Sequence, residues 1–289
     1  MNPPAPAGGP PWFRESFSKF YGVSLAVNRE ILHTRSEFQD IFLFENDRWG
    51  KVLVLDGAVQ LTEGDEFFYH EALVWPPMLL HPDPRRVLII GGGDGGTLEE
   101  VLKFPTVETV MQVEIDPAVV EIAKTHFDSV HHGAFDDPRV HLVIADAAKF
   151  VPADPERYDV ILMDTSDPVG PSEPLYDKIF LARVRDHLTA GGILGMQSGS
   201  ALIKREVFER IQRDLNAVLS WVLGYAAPVP TYPGGIWTFT MGAMGASRSP
   251  PTKIAERLAK MPAPQFVTPG FLSDLFSPPQ YLTGARPGP

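Results

Sequence analysis

Two aspartates three residues apart, Asp164 and Asp167 in DTSDP, end the short apolar run YDVILMD. A strand that finishes in two carboxylates aims both at the crevice beyond the sheet's carboxyl edge. One can hold or deprotonate an amine there, and the other adds negative potential. The segment GPSEP follows and would make a lid. A capping box for the next helix would also use an acid, but it needs one acid or hydroxyl, not two. Upstream, VLIIGGGDGG at 87–96 reads as a buried strand, a glycine turn and the start of a helix. Gly91, Gly93 and Gly96 fit the dinucleotide fingerprint, while Gly91, Gly93 and Gly95 fit the G-x-G-x-G turn of adenosylmethionine-type enzymes. Either turn lets backbone approach a nucleoside closely, and a ligand-free strand–helix turn would use the same glycines. Glu114 ends the next strand, twenty residues past Asp94, where an acidic side chain can accept both ribose hydroxyls. Asp146 ends the strand after that. It suits a carboxylate near an adenine amino group, and equally a helix N-cap.

These residues need strands that all end on one edge. From Asp65 onward the pattern supplies them. RRVLII, VETVMQVEID, RVHLVIAD, YDVILMD and GGILGMQ read as strands, with helices TLEEVLKF, PAVVEIAKTHF and EPLYDKIFLARVRDHL between them. Alternating strands and helices predict an α/β domain around a doubly wound, mainly parallel sheet. EFFYHEALVWPPMLLH looks helical and is expected to break at Pro76-Pro77. REVFERIQRDLNAVLSWVL carries Phe208, Ile211, Leu215 and Val218 at helical spacing. TYPGGIW at 231–237 is a turn with an aromatic on each side, in itself readable as a hairpin. The stretch 21–62 differs: EFQDIFLFEN and WGKVLVLDGAVQLT are β-rich, with turns at Glu45-Asn46-Asp47 and Asp56-Gly57. Strands without intervening helices predict a small antiparallel domain. The expected organisation is a mobile tail at 1–11, an N-terminal β domain at 12–66 and a Rossmann-like catalytic domain at 67–289.

Composition narrows the function classes. The chain has 289 residues, 25 Lys and Arg against 36 Asp and Glu, and a net charge of −11. An acidic surface repels phosphate backbones, so no nucleic-acid partner is expected. It attracts cations. With no cysteine, disulfides, thiolate metal sites and Cys nucleophiles are excluded. The eight histidines show no H-E-x-x-H or similar spacing, so no metal is assigned. There is no G-x-S-x-G elbow. MNPPAPAGGPP does not read as a signal peptide and no run is long enough to span a membrane, so the expectation is cytoplasmic with no membrane partner.

Taken in order, PWFRE, LVLDGAVQLTEGDEFFYHE, VLIIGGGDGGTLEEVLKF, QVEID, DDPRVHLVIADA, DTSDPVGPSEPLY and PTYPGGIW resemble the polyamine aminopropyltransferases, the spermidine synthase family. The resemblance runs from Trp12 to near Gly242 and implies a methyltransferase-like Rossmann domain, an N-terminal β domain and a homodimer or homotetramer. It implies decarboxylated S-adenosylmethionine as co-substrate, with no prosthetic group, and a small polyamine as the other substrate. Donor contacts would come from Gln39, Gln60, Gly91, Gly93, Asp94, Gly95, Glu114, Asp146 and Ala147. The acceptor would lie among Tyr69, His70, Asp94, Asp164, Asp167, Gln197 and Tyr232, with Trp12 at its far end. Asp164, Tyr69 and Tyr232 would be catalytic. Asp94 would face the donor's ammonium, where intact adenosylmethionine carries an extra carboxylate. Two like charges ~4 Å apart repel by ~4 kcal/mol at an effective dielectric of ~20, which would favour the decarboxylated donor.

One stretch departs from the family pattern. Many putrescine-using members have an acid just after the fifth strand, and here Ser198, Gly199 and Ser200 stand there. Putrescine stays the first expectation, with agmatine, cadaverine or spermidine beside it. A small-molecule N-methyltransferase is a more distant alternative, opposed by Asp94 and DTSDP. A NAD-dependent oxidoreductase would need a hydride-transfer partner that the sequence does not offer. An inert binder would not need Asp164 and both flanking tyrosines.

Overall fold

In the computed structural model, which describes residues 9–245, 251–277 and 282, the chain begins with two small antiparallel sheets. β1 (Trp12–Ser16) pairs with β2 (Gly22–Ala26). β3 (Arg29–Arg35), β4 (Asp40–Asn46), β5 (Gly50–Leu55) and β6 (Ala58–Thr62) form a four-stranded meander. Asp56 and Gly57 both take positive φ, 48° and 78°, the two-residue turn that Asp-Gly favours between antiparallel strands. Of the tail expected at 1–11, residues 1–8 lie outside the described residues. Pro11 is already tied in, since its carbonyl accepts the Val27 amide at 2.7 Å.

After α1 (Glu66–Leu80), strands and helices alternate: β7 (Arg86–Gly91), α2 (Gly96–Leu102), β8 (Thr109–Glu114), α3 (Pro117–His126), α4 (Asp128–His131), β9 (Val140–Ile144), α5 (Ala147–Ala153), β10 (Tyr158–Asp164), α6 (Lys178–Asp186) and β11 (Leu188–Gln197). Next come α7 (Arg205–Asn216), β12 (Trp221–Pro228), β13 (Ile236–Ala243), α8 (Pro251–Leu258) and α9 (Pro269–Asp274). Seven strands make one sheet in the order β12-β13-β11-β10-β7-β8-β9. β7 to β11 run parallel, while β12 and β13 are antiparallel additions at one side. The chain winds outward from β7 through β8 to β9 and then returns to β10. The order therefore reverses between β7 and β10, and a crevice opens there at the carboxyl ends of the strands. Among the described residues no helix is long and apolar enough to cross a membrane.

Two expectations about elements fail, each for a tertiary reason. α1 does not break at Pro76-Pro77 but runs through both. Pro76 has no N–H for the Ala72 carbonyl, and the Tyr225 hydroxyl donates to that carbonyl instead, at 2.8 Å. The helical spacing that reaches Val218 also stops early: α7 ends at Asn216, and Trp221 to Pro228 pair residue for residue with β13. Sheet pairing and burial outweigh local helical preference there.

Candidate active site

The crevice is set by one backbone contact. Asp164 at the end of β10 pairs with Gly91 at the end of β7, and the Gly92 amide donates to the Asp164 carbonyl at 2.8 Å. A Cβ on Gly91 would lie 2.1 Å from that carbonyl oxygen, and its φ is 86°. Only glycine lets the two strand ends meet this closely. Two cavities open where they meet. The smaller, about 150 Å³, is lined by Gly91, Gly93, Asp94, Glu114, Asp146 and Ala147 among others. The larger, about 380 Å³, is lined by Glu15, Asp167, Gln197, Lys204, Tyr232 and Trp237 among others. Gln39, Gln60, Tyr69, Thr165 and Tyr232 border both, so they are lobes of one space.

Asp164 lines the smaller lobe, and its neighbours Thr165 and Tyr69 border both. The Tyr69 hydroxyl donates to its Oδ1 and the Thr97 hydroxyl to its Oδ2, each at 2.7 Å. Burial and the neighbouring Asp94 carboxylate raise its pKa above the usual range, while His70 and these two hydroxyls pull the other way. Tyr69 and Tyr232 are pushed well above the ordinary phenol value, first by burial and then by Asp164, so both remain hydroxyl donors. Their rings sit 5.7 Å apart, and the Tyr232 hydroxyl donates to the Gln60 carbonyl. Asp65, in the link between β6 and α1, accepts from both the amide and the hydroxyl of Thr231 at 2.8 Å, which anchors the turn carrying Tyr232.

Beside Asp164 lies a second network. His70 is 1% exposed and bridges two carboxylates, with Nδ1 2.6 Å from Glu66 and Nε2 3.4 Å from Asp94. Burial opposes its charge, but Asp94 and Glu66 more than compensate, and its pKa lies well above the ordinary value. Burial likewise opposes ionisation of Asp94, yet the charge and hydrogen bond of His70, with the Gly96 amide, hold its pKa below the usual range. His70, Asp94 and Asp164 bring ligand atoms within 4.8 Å of one another, a grouping that histidine spacing did not foretell. Both ring nitrogens already face carboxylates, so the cluster suits an organic ammonium better than a metal ion.

The remaining residues sort by position. Gln39 and Gln60 border both lobes, with Gln39 donating to Asp116 at 2.7 Å. Glu114 faces the smaller lobe, its pKa lifted to about 7, mainly by burial. Asp146 caps α5 by accepting the Ala148 amide at 2.9 Å, and it also lines that lobe. Gln197 lines the larger lobe, but its amide nitrogen donates to the Thr165 carbonyl and the Tyr176 hydroxyl, bracing the 164–168 turn. Asp167 faces Lys204. Val169, Gly170, Pro171 and Ser172 form a wall where the lid was expected.

Two expected positions are corrected. His70 does not line either lobe; it stands behind Asp94, because its helical neighbour Glu66 and Asp94 hold the ring from two sides. Trp12 does not line the larger lobe and is 51% exposed. Side chains alternate along β1, so Phe13 and Glu15 turn inward while Trp12 and Arg14 turn out. Glu15 lines the lobe in its place. Sequence reasoning missed Glu15, Glu66, Thr97 and Lys204. Only Glu66 had a local signal, one helical turn before His70.

Residues 66–248 match the spermine/spermidine synthase domain, and residues 11–63 match the spermidine synthase tetramerisation domain. The chain belongs to the spermine/spermidine synthase family. As a member it is an aminopropyltransferase. It is 43% identical over 248 residues to polyamine aminopropyltransferase 1 of Pseudomonas aeruginosa, covering 85% of this chain and 86% of that one. It is 41% identical over 233 residues to the polyamine aminopropyltransferase of Thermococcus onnurineus, covering 81% and 82%. Its fold is similar to a spermidine synthase solved in complex with the transition state analogue AdoDATO, with a TM-score of 0.90, 34% identity and coverage of 94% and 93%. A spermidine synthase from Thermotoga maritima gives 0.88 at 34% identity, covering 94% and 92%. The family's two matched regions meet between Glu63 and Glu66, where β6 gives way to α1.

Proposed function

We propose that this aminopropyltransferase moves the aminopropyl group of decarboxylated S-adenosylmethionine to a primary amine, with putrescine as the first acceptor, giving spermidine and methylthioadenosine. The observation that carries this reading is the position of Asp164 in the wall of the smaller lobe, beside a glycine turn and under two hydroxyls. In it the smaller lobe receives the donor: adenine toward Asp146 and Ala147, ribose hydroxyls on Glu114, and the aminopropyl ammonium toward Asp94. The larger lobe receives the acceptor, with its reacting nitrogen near Asp164, Tyr69 and Tyr232 and its far end toward Asp167 and Glu15.

The chemistry then follows from charge. An alkyl amine with a pKa near ~10.4 is an ammonium at neutral pH and cannot attack. Asp164 takes one proton, and the freed nitrogen lone pair attacks the carbon next to the sulfonium. The carbon–sulfur bond breaks with its electrons going to sulfur, so the donor leaves as a neutral thioether that needs no acid. The new secondary ammonium keeps the positive charge, stabilised by the nearby carboxylates. Much of the remaining barrier reduction comes from aligning nitrogen, carbon and sulfur.

The absence of a carboxylate at Ser198-Gly199-Ser200 favours agmatine, cadaverine or spermidine as second readings for the same reaction. Mass spectrometry of products formed from decarboxylated donor and mixed amines decides between them. Release of methylthioadenosine with an aminopropylated amine is expected; a methylated amine, or no transfer with any amine, sinks the proposal. The assembly is read as a homotetramer. The tetramerisation match and the exposed Trp12 and Phe20 (51% and 96%) on β1 and its hairpin loop support it. Light scattering on the purified protein tests it.

A further inference from the structure

The far end of the larger lobe contains a cation of its own. Lys204 precedes α7, and its ammonium lies 3.0 Å from Asp167 Oδ2. The other oxygen of Asp167, Oδ1, is buried without a hydrogen-bond partner. On the facing wall Glu15 gives one oxygen to the Val59 amide at 2.9 Å. Glu15, Asp167 and Lys204 all line this lobe, and burial lifts the Glu15 pKa to about 7. The neighbouring loop adds no charge. Its polar groups are committed: the Ser198 hydroxyl to Thr240, the Gly199 amide to Gln197 Oε1, and the Ser200 hydroxyl to the Pro233 carbonyl. Two carboxylates therefore face one resident ammonium in a cavity that must admit a second.

We propose that Lys204 is a specificity-determining residue whose ammonium competes with the far cation of the acceptor for Asp167. This rests on the reading that the larger lobe receives the acceptor. The Lys204 and Asp167 side chains are 40% and 25% exposed, so water screens the pair and it can open at small cost. A diamine must displace Lys204 from Oδ2 or share Asp167 with it, using the unpartnered Oδ1. A monoamine of the same carbon chain faces no such contest. Lys204 thus weakens short diamines selectively and shifts preference toward acceptors whose second cation lies at a different distance.

The test compares wild type, Lys204→Met and Lys204→Arg on the whole protein. Calorimetry measures putrescine and n-butylamine binding with methylthioadenosine already bound, and steady-state assays at saturating donor measure both KM values. Lys204→Met should tighten putrescine binding and lower its KM roughly three- to fivefold, with n-butylamine changing by less than about twofold. Lys204→Arg, which keeps the charge, should stay near wild type. Equal changes for both amines, weaker putrescine binding in Lys204→Met, or no putrescine binding in either form would overturn the proposal. Because calorimetry does not depend on turnover, the two readings can fail separately. Tighter putrescine binding without methylthioadenosine release from any amine would leave the Lys204 inference standing and remove the transfer reaction.

Discussion

Tyr69 and Thr97 grip Asp164 from opposite sides, α1 supplying a hydroxyl to Oδ1 and α2 a hydroxyl to Oδ2, both at 2.7 Å. Neither hydroxyl can accept the charge of the carboxylate; each only orients and stabilises it. The two hydroxyls thereby fix the orientation of the carboxylate proposed as the base. Asp164→Asn keeps the shape and removes the basic oxygen. Turnover should fall by at least ~10²-fold while thermal unfolding and methylthioadenosine affinity stay close to wild type. Rapid-quench assays beside scanning calorimetry check this, and near-normal turnover would remove Asp164 from its role.

Thr97→Val tests how that base is tuned. Burial and Asp94 raise the Asp164 pKa, and the Thr97 hydroxyl opposes them by stabilising the charged form. Without that hydroxyl the pKa rises further. The base must be ionised to act, so the acid limb of the kcat/KM profile should move to higher pH, with the alkaline limb in place. An acid limb that stays put, or moves to lower pH, would contradict the assigned contact.

Asp94 should discriminate between donors. The extra carboxylate of intact adenosylmethionine would approach it, and the positive His70 behind Asp94 offsets only part of the repulsion. Wild type should bind the decarboxylated donor about tenfold to a hundredfold more tightly than the intact one, and Asp94→Asn should erase most of that ratio. Calorimetric titration with both donors gives the answer; equal affinities in wild type would end the idea.

Stability should fall as pH rises through neutrality. Glu15, Glu100 and Glu114 are each lifted from 4.5 to about 7 in the folded chain, first of all by burial. Between these values the native state holds more protons than the unfolded one, so their contribution is complete below about 4.5 and is lost progressively as pH rises to about 7. The raised His70 pKa acts in the same sense at higher pH. Glu114→Gln should flatten this slope, raise the unfolding temperature at pH ~8 by roughly 2–6 °C and weaken methylthioadenosine binding. Unfolding curves across the pH range, with and without the nucleoside, measure both effects.

Much of the crevice was readable because strand-end chemistry is local in sequence. Gly91, Asp94, Glu114, Asp146 and Asp164 each follow an apolar run, and a parallel sheet puts such ends on one edge. What was not readable depends on distant partners. Nothing near Thr97 says that its hydroxyl meets a residue on β10, and nothing near Lys204 says that it meets Asp167. Glu15 was hidden by its neighbour, since the more conspicuous Trp12 drew the assignment while strand alternation turned it outward. His70 was expected in the cavity wall and instead stands behind Asp94. The start of β12 was masked by an apolar spacing that served a sheet edge instead of a helix.

Pro76 in α1 makes one buried carbonyl depend on a distant part of the chain. Tyr225 supplies the hydrogen bond that Pro76 cannot give with an amide, and α1 carries Tyr69 three residues before Ala72. Losing that hydroxyl alone would strand a buried carbonyl, a defect of ~1–3 kcal/mol, whereas restoring the amide first would make the tyrosine dispensable. Variation at 76 and 225 is therefore expected to be ordered, the proline yielding before the phenol. The helix that aims Tyr69 at Asp164 is thus held by a residue whose own hydroxyl goes to a backbone carbonyl.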